Sequence, residues 1–229
     1  MKFGAILPLA LFIVSSLSCG GEKKDVFLRE NMIPAAREFI KRNGLPYDTN
    51  FGTNRVVRYT VDFFDDGRSG GQADMKLENG YRLYFDFNAE ITRVWCFHDQ
   101  TKTYYHLDSG PKEQVDAVMA LNLRNKLNDK TALELATKFF HLQGYKEEDF
   151  HPVEFRQLMW TGGPEVSSRL LPYYRAEWYR KEVNMADRDA GNSTLSRVAI
   201  EVSGITTNMV YYSSFIHLGE GVVLTNNFH

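Results

Sequence analysis

Two stretches of the chain, one hundred residues apart, repeat the same spacing of apolar residues. In both stretches apolar residues recur at i, i+3, i+4 and i+7, which predicts a helix with one buried face. A glycine, Gly44 or Gly144, follows each stretch and suits a left-handed helix end. The second stretch also contains Thr131 and Glu134, which predict a capping box. The apolar positions are Met32, Ile33, Ala35, Ala36, Phe39 and Ile40, and then Ala132, Leu133, Leu135, Ala136, Phe139 and Phe140.

Each predicted helix is followed by segments in which apolar and polar residues alternate, as they do in a β-strand with one buried face. Asn79 and Gly80 separate two such segments and predict a hairpin with a type I′ turn, in which both central residues have positive φ. One helix followed by four strands, twice, predicts an α+β fold of two tandem repeats, each with its helix packed on a four-stranded antiparallel sheet. The predicted strands span 57–63, 73–77, 81–87 and 92–97, and then 153–160, 173–180, 197–202 and 209–214.

The N-terminal residues have the layout of a secretory signal peptide. Lys2 precedes an apolar run over residues 3–14, and a short polar stretch leads to Cys19. The run is too short for a transmembrane helix, which needs roughly 20 apolar residues. The predicted boundaries are 1–18 for the signal peptide, 19–30 for a polar tether, 31–109 and 131–229 for the two modules, and 110–130 for a connector.

Cys19, which is followed by two glycines, resembles the lipid-attachment position of bacterial lipoproteins. Ser16 and Ser18 also satisfy the small-residue rule for ordinary signal peptidase cleavage before Cys19, so a secreted or periplasmic form remains an alternative to a lipid-anchored envelope protein. A lipid anchor is the only membrane attachment that we expect. Cys96 is the one other cysteine, so we expect no disulfide framework and predict that Cys96 is a small buried side chain.

Composition and motifs favour a globular protein without an enzymatic activity. The chain is 43% hydrophobic and 14% aromatic, and its net charge of −2 does not favour a nucleic-acid partner. The six histidines lack the spacing of a zinc-binding helix, and no nucleophile elbow, phosphate-binding loop or dinucleotide fingerprint is present. We therefore expect no catalytic residue, no metal and no cofactor.

Adjacent tyrosines supply the candidate binding residues. Neighbouring residues of a strand point to opposite faces of the sheet, so one ring of each pair faces away from the other. Exposed tyrosines on a sheet are candidate anchors for a protein or peptide partner, and packing of the rings within the fold is the alternative. The candidates are Tyr104, Tyr105, Tyr173, Tyr174, Tyr211 and Tyr212.

The order of helix, glycine and antiparallel strands resembles the PepSY and PepSY-like modules of bacterial envelope proteins. The resemblance is carried by the two helix-and-glycine stretches and by residues 81–92, 171–178 and 198–206. It implies a cystatin-like fold and a noncatalytic envelope protein, with restraint of a peptidase as one role of such modules. We expect tandem modules that bind a protein or peptide. The alternatives are a small-ligand-binding protein or an enzyme with a nonstandard pocket, and a purely structural envelope protein.

Overall fold

Eight strands form one antiparallel sheet in the order β1-β2-β3-β4-β8-β7-β6-β5. The computed structural model describes residues 21–64, 70–88, 90–99, 120–160, 169–189 and 195–215. The predicted α+β class is confirmed, but the strands of both halves join in a single sheet. The strands are β1 Val56–Phe63, β2 Gly71–Leu77, β3 Tyr81–Asn88, β4 Glu90–His98, β5 Glu154–Trp160, β6 Arg169–Tyr179, β7 Arg197–Ser203 and β8 Met209–Phe215.

Two helices pack on the same face of this sheet, which we call the inner face. Helix α1 spans Ile33–Asn43, helix α2 spans Asp129–Leu142, and a short helix α3 spans Met185–Asp189. Their apolar stripes and the inner-facing strand residues form one buried cluster, because each stripe covers apolar positions of the pleated sheet. The central members of this cluster are Ala36, Phe39, Ile40, Ala132, Ala136, Phe139, Phe140, Leu83, Phe85 and Trp178.

The helix ends agree with the predicted glycines and differ from the predicted capping box. Gly44 and Gly144 have φ of 57° and 85°, the left-handed conformation in which glycine carries no steric cost. Helix α2 is capped by Asn128, whose side chain accepts a hydrogen bond from the Thr131 amide at 2.9 Å. Thr131 Oγ1 accepts in return from the Asn128 amide. The capping box is therefore formed by Asn128 and Thr131, and not by Thr131 and Glu134 as predicted.

The helical region of the first half begins well before α1. Residues 21–27 are helical, and the π-helical segment Leu28–Met32 connects them directly to α1. Phe27 and Leu28 are buried, and the Phe27 ring lies 4.4 Å from the Phe87 ring. The segment expected as a tether at 19–30 therefore contributes two side chains to the core.

The two halves of the sheet meet where β4 pairs with β8. Within the described parts of the two strands, the paired residues are Cys96 with Tyr212 and Phe97 with Tyr211. On the inner face, Phe39 of α1 stacks on Tyr212 at 5.9 Å between ring centroids. The Tyr81 hydroxyl donates a buried hydrogen bond of 2.7 Å to the Met209 carbonyl, so packing and hydrogen bonding both hold the halves together.

The hairpin predicted at Asn79 and Gly80 is present, but its turn type was wrong. Among the described residues, Thr207 is the only non-glycine residue with positive φ, so Asn79 does not have the conformation that a type I′ turn requires. The Gly80 amide instead donates to the Leu77 carbonyl, and Gly80 takes a φ of 93°. This is a three-residue connection in which glycine occupies the positive-φ position.

Several predicted features lie outside the described residues: the signal peptide at 1–18, Cys19, Tyr104, Tyr105 and the connector up to residue 119. Within the described ranges, no helix combines the length and the apolar character needed to cross a bilayer.

Candidate binding surface

Two of the candidate tyrosines, Tyr174 and Tyr212, lie in the core on the inner face. The Tyr174 hydroxyl donates to the Leu127 carbonyl at 2.8 Å and accepts from Asn125 Nδ2 at 2.7 Å. It thereby fixes the segment that leads into α2. The Tyr212 hydroxyl lies 3.2 Å from that of Tyr145, and burial, followed by the influence of Tyr145, raises the pKa of Tyr212 well above its ordinary value.

The partners of these tyrosines in the sequence, Tyr173 and Tyr211, point to the opposite face, as adjacent strand residues must. We call this the outer face. Tyr173 is 2% exposed, whereas Tyr211 is partly exposed. Of the four candidate tyrosines that the structure describes, Tyr211 alone offers a partly exposed ring. The other three pack within the fold.

Three aromatic residues that the sequence analysis did not single out lie beside Tyr211 on the outer face. The sheet register places Tyr84 opposite Trp95, and Phe97 opposite Tyr211. All four side chains are partly exposed. We call Tyr84, Trp95, Phe97 and Tyr211 the aromatic strip. The sequence pattern that could have indicated this strip is the alternation along β4, in which Trp95 and Phe97 alternate with the buried Val94 and Cys96.

Arginine side chains lie over three rings of the aromatic strip. The guanidinium carbons of Arg82, Arg93 and Arg175 lie 5.0, 5.6 and 5.5 Å from the ring centroids of Tyr84, Trp95 and Tyr211, respectively. These separations are within the range of cation–π attraction. The strip therefore alternates aromatic rings with cations across strands from both halves of the sheet.

Each of these arginines is also held by a carboxylate. Arg82 lies 2.8 Å from Asp74, Arg93 lies 3.5 Å from Asp86, and Arg175 lies 3.0 Å from Glu201. An arginine that is already anchored loses less side-chain freedom when a partner binds. The outer face thus presents pre-positioned arginine and aromatic groups.

The strongest electrostatic feature of the outer face is the cluster around Arg175. Its guanidinium lies 3.0 Å from both Glu177 and Glu201, and the Glu201 side chain is fully buried. Burial alone would lower the pKa of Arg175, but the two carboxylates outweigh it and the net pKa is raised. Arg156 and Arg197 approach Glu177 at 3.6 and 3.8 Å, so the cluster contains three cations and two carboxylates.

The described residues contain no candidate metal-binding cluster. They hold no group of three or more histidine, cysteine, aspartate or glutamate side chains that could ligate a metal ion. Cys96 is 1% exposed, as predicted, and burial raises its thiol pKa, which disfavours the reactive thiolate. An open groove of about 770 Å³ runs along the exposed side of α2 between Lys130 and Leu142, on the opposite side of the sheet from the aromatic strip.

The chain was compared with models of protein families, with curated proteins and with solved structures, and none of the three comparisons gave a match.

Proposed function

We propose that this chain is a noncatalytic exported protein of the bacterial cell envelope that binds a protein or peptide through the outer face of its sheet. The observation that carries the proposal is the aromatic strip with its three anchored arginines. Aromatic residues and arginine are the types enriched at the energetic centres of protein interfaces. The PepSY resemblance adds restraint of a peptidase as the role of that binding.

The proposal includes two tandem modules, each built from one helix and four strands. Two observations support it. Helix α1 precedes β1 to β4 and helix α2 precedes β5 to β8, and the strand order of the second half mirrors that of the first about the β4–β8 contact. The glycines that end the two helices also share positive φ. One continuous sheet is then the way in which the modules associate.

The proposed location in the cell envelope rests on the N-terminal sequence. A lipid anchor at Cys19 would attach the chain to a membrane of the cell envelope, and cleavage before Cys19 without acylation would release a secreted or periplasmic form. The membrane fraction of a Cys19→Ser variant separates the two, because only the lipid-anchored form loses its membrane association.

The binding proposal is tested by crosslinking in intact cells, followed by affinity purification of the tagged chain and mass spectrometry. We expect the wild type to capture a reproducible protein partner and a Trp95→Ala variant to capture at least tenfold less, as expected for loss of about 1.4 kcal/mol or more at an interface centre. The matched control is Phe64→Ala, which removes a 44% exposed ring just after β1, away from the strip.

Capture of one partner at equal levels by the wild type and by Trp95→Ala would contradict the assignment of the surface. Absence of any reproducible partner would contradict the binding function itself, and would favour the small-ligand or structural alternatives.

A further inference from the structure

One row of outer-face residues crosses all eight strands of the sheet. The register aligns one residue of each strand with one residue of the next, and the alternation along the strands places all eight on the outer face. Five of the eight are cations and two are aromatic, so we call this set the basic row. From β1 to β5 across the sheet, its members are Arg58, Lys76, Arg82, Phe97, Tyr211, Glu201, Arg175 and Arg156.

The carboxylates that pair with the arginines of the outer face are more buried than the arginines themselves. The Arg175 side chain is 17% exposed and that of Glu201 is 0% exposed, while Arg156 is 64% exposed and Glu177 is 8% exposed. Solvent therefore meets the cations before the carboxylates, which makes the face electropositive towards an approaching partner. The same order of exposure holds for three further pairs: Arg82 with Asp74, Arg93 with Asp86, and Arg197 with Glu177.

The cations of the basic row form two groups, with aromatic rings between them. Three cations lie on the adjacent strands β1, β2 and β3, and two lie on β6 and β5. Neighbouring strands are about 4.8 Å apart, so the four steps from Arg82 to Arg175 span roughly 19 Å. An extended chain covers that distance with about six residues. Phe97 and Tyr211 lie next to each other within this span.

We propose that the partner protein presents an extended acidic segment, which lies along the basic row with carboxylates at both cationic groups and an apolar side chain over Phe97 and Tyr211. This inference rests on the proposed binding function and names the chemistry of the partner. Arginine pairs with a carboxylate through two parallel hydrogen bonds, and charge complementarity gives specificity and fast association. A nucleic acid fits the row less well, because its evenly charged backbone would place phosphates over the uncharged rings.

The first test selects random dodecapeptides displayed on phage on the full chain with Cys19→Ser. We expect enriched peptides with acidic residues on both sides of an apolar or aromatic residue. Their synthetic forms should bind in a fluorescence anisotropy assay, and exchange of their acidic residues for the corresponding amides should weaken binding at least tenfold. Failure to enrich acidic peptides, or equal binding of the acidic and amide forms, contradicts the proposal.

The second test locates the binding of these peptides on the chain. Arg58→Gln with Arg156→Gln removes one exposed cation from each end of the basic row. The matched control, Lys130→Gln with Lys138→Gln, removes two exposed cations from α2 on the other side of the sheet. Because all four side chains are exposed, we expect both double variants to keep the wild-type melting temperature within a few degrees. Peptide binding should weaken at least fivefold in the first and stay within twofold in the control.

Equal loss of peptide binding in the two double variants, or no loss in the first, overturns the proposal. Inorganic polyphosphate serves as the competing probe: if it binds the wild type more tightly than the selected peptides and loses that binding in the first double variant, the row is a general polyanion site and the proposal is also overturned. In intact cells, a partner that is captured equally by the wild type and the first double variant, but lost in Trp95→Ala, overturns the acidic segment and leaves the binding function standing.

Discussion

Removing the Arg175 guanidinium is the most informative perturbation of stability, because this group neutralises buried carboxylates on the outer face. In an Arg175→Met variant the aliphatic part of the side chain is kept and the cation is lost. Glu201 is fully buried and loses the guanidinium that lies 3.0 Å away. Glu177 keeps Arg156 and Arg197 at 3.6 and 3.8 Å, which limits the cost at Glu177.

The magnitude follows from the burial of both partners. The Arg175 and Glu201 side chains are 17% and 0% exposed, so solvent screens their interaction weakly. Breaking a buried ion pair by removing one partner costs about 3–5 kcal/mol, and we expect the lower part of that range because Glu177 retains its other cations. With a urea dependence of about 2 kcal/mol per molar, the unfolding midpoint should fall by roughly 1.5 M.

The assay is urea unfolding followed by circular dichroism, with two further variants. Arg55→Met breaks the pair with Glu78, whose side chains are 47% and 42% exposed, and should cost about 0–1 kcal/mol. The double variant Arg175→Met with Glu201→Leu removes both charges of the buried pair, and we expect it to recover most of the loss. The reasoning is refuted if Arg175→Met costs no more than Arg55→Met, or if the double variant is less stable than the single one.

Two further predictions concern the core. Burial raises the pKa of Cys96, Tyr81 and Tyr212, so the folded state favours their neutral forms. The contribution of each group to stability is complete below its unfolded pKa, which is 9.0 for cysteine and 10.0 for tyrosine. This contribution is lost as the pH rises above that value. The free energy of unfolding should start to fall at about pH 9, by about 1.4 kcal/mol per pH unit for each group that titrates. In Cys96→Ala this fall should start at about pH 10, where the tyrosines begin to titrate. A free energy of unfolding that stays constant between about pH 9 and about pH 11 is inconsistent with buried neutral groups. Phe27→Ala should cost about 3 kcal/mol in urea unfolding because its ring packs on Phe87 in the core, whereas no effect is expected if residues 21–30 are only a tether.

Local patterns in the sequence predicted the elements well, because their signals lie within a few residues of one another. The apolar spacing around Phe39 and Phe139 identified both helices, and the alternation in residues 81–87 and 197–202 identified strands with one or two buried faces. Gly44 and Gly144 were correctly expected at positive φ.

The pairing of β4 with β8 had no comparable signal. It joins Cys96 to Tyr212, more than one hundred residues away, and the alternation of each strand is equally compatible with an exposed edge. The length of the first helical region was underestimated. Segment 21–30 is rich in charged residues, so the two apolar side chains that reach the core, Phe27 and Leu28, did not produce a recognisable helical pattern.

The tyrosine candidates show why a surface was harder to predict than an element. Adjacent residues must face opposite sides of a sheet, but the sequence does not state which side carries the helices or which rings are covered. Tyr174 and Tyr212 face the helices, whereas Trp95 and Phe97, which lie on the outer face, were not among the candidates. Only the register that aligns Phe97 with Tyr211 brings the aromatic strip together.

The most direct test of the proposed function is site-specific photo-crosslinking in intact cells, with the photoreactive residue placed once at Tyr84 on the outer face and once at Thr137 on the exposed side of α2. We predict that a discrete protein partner crosslinks from position 84 and not from position 137. A partner that crosslinks from position 137 and not from position 84 would contradict binding through the outer face.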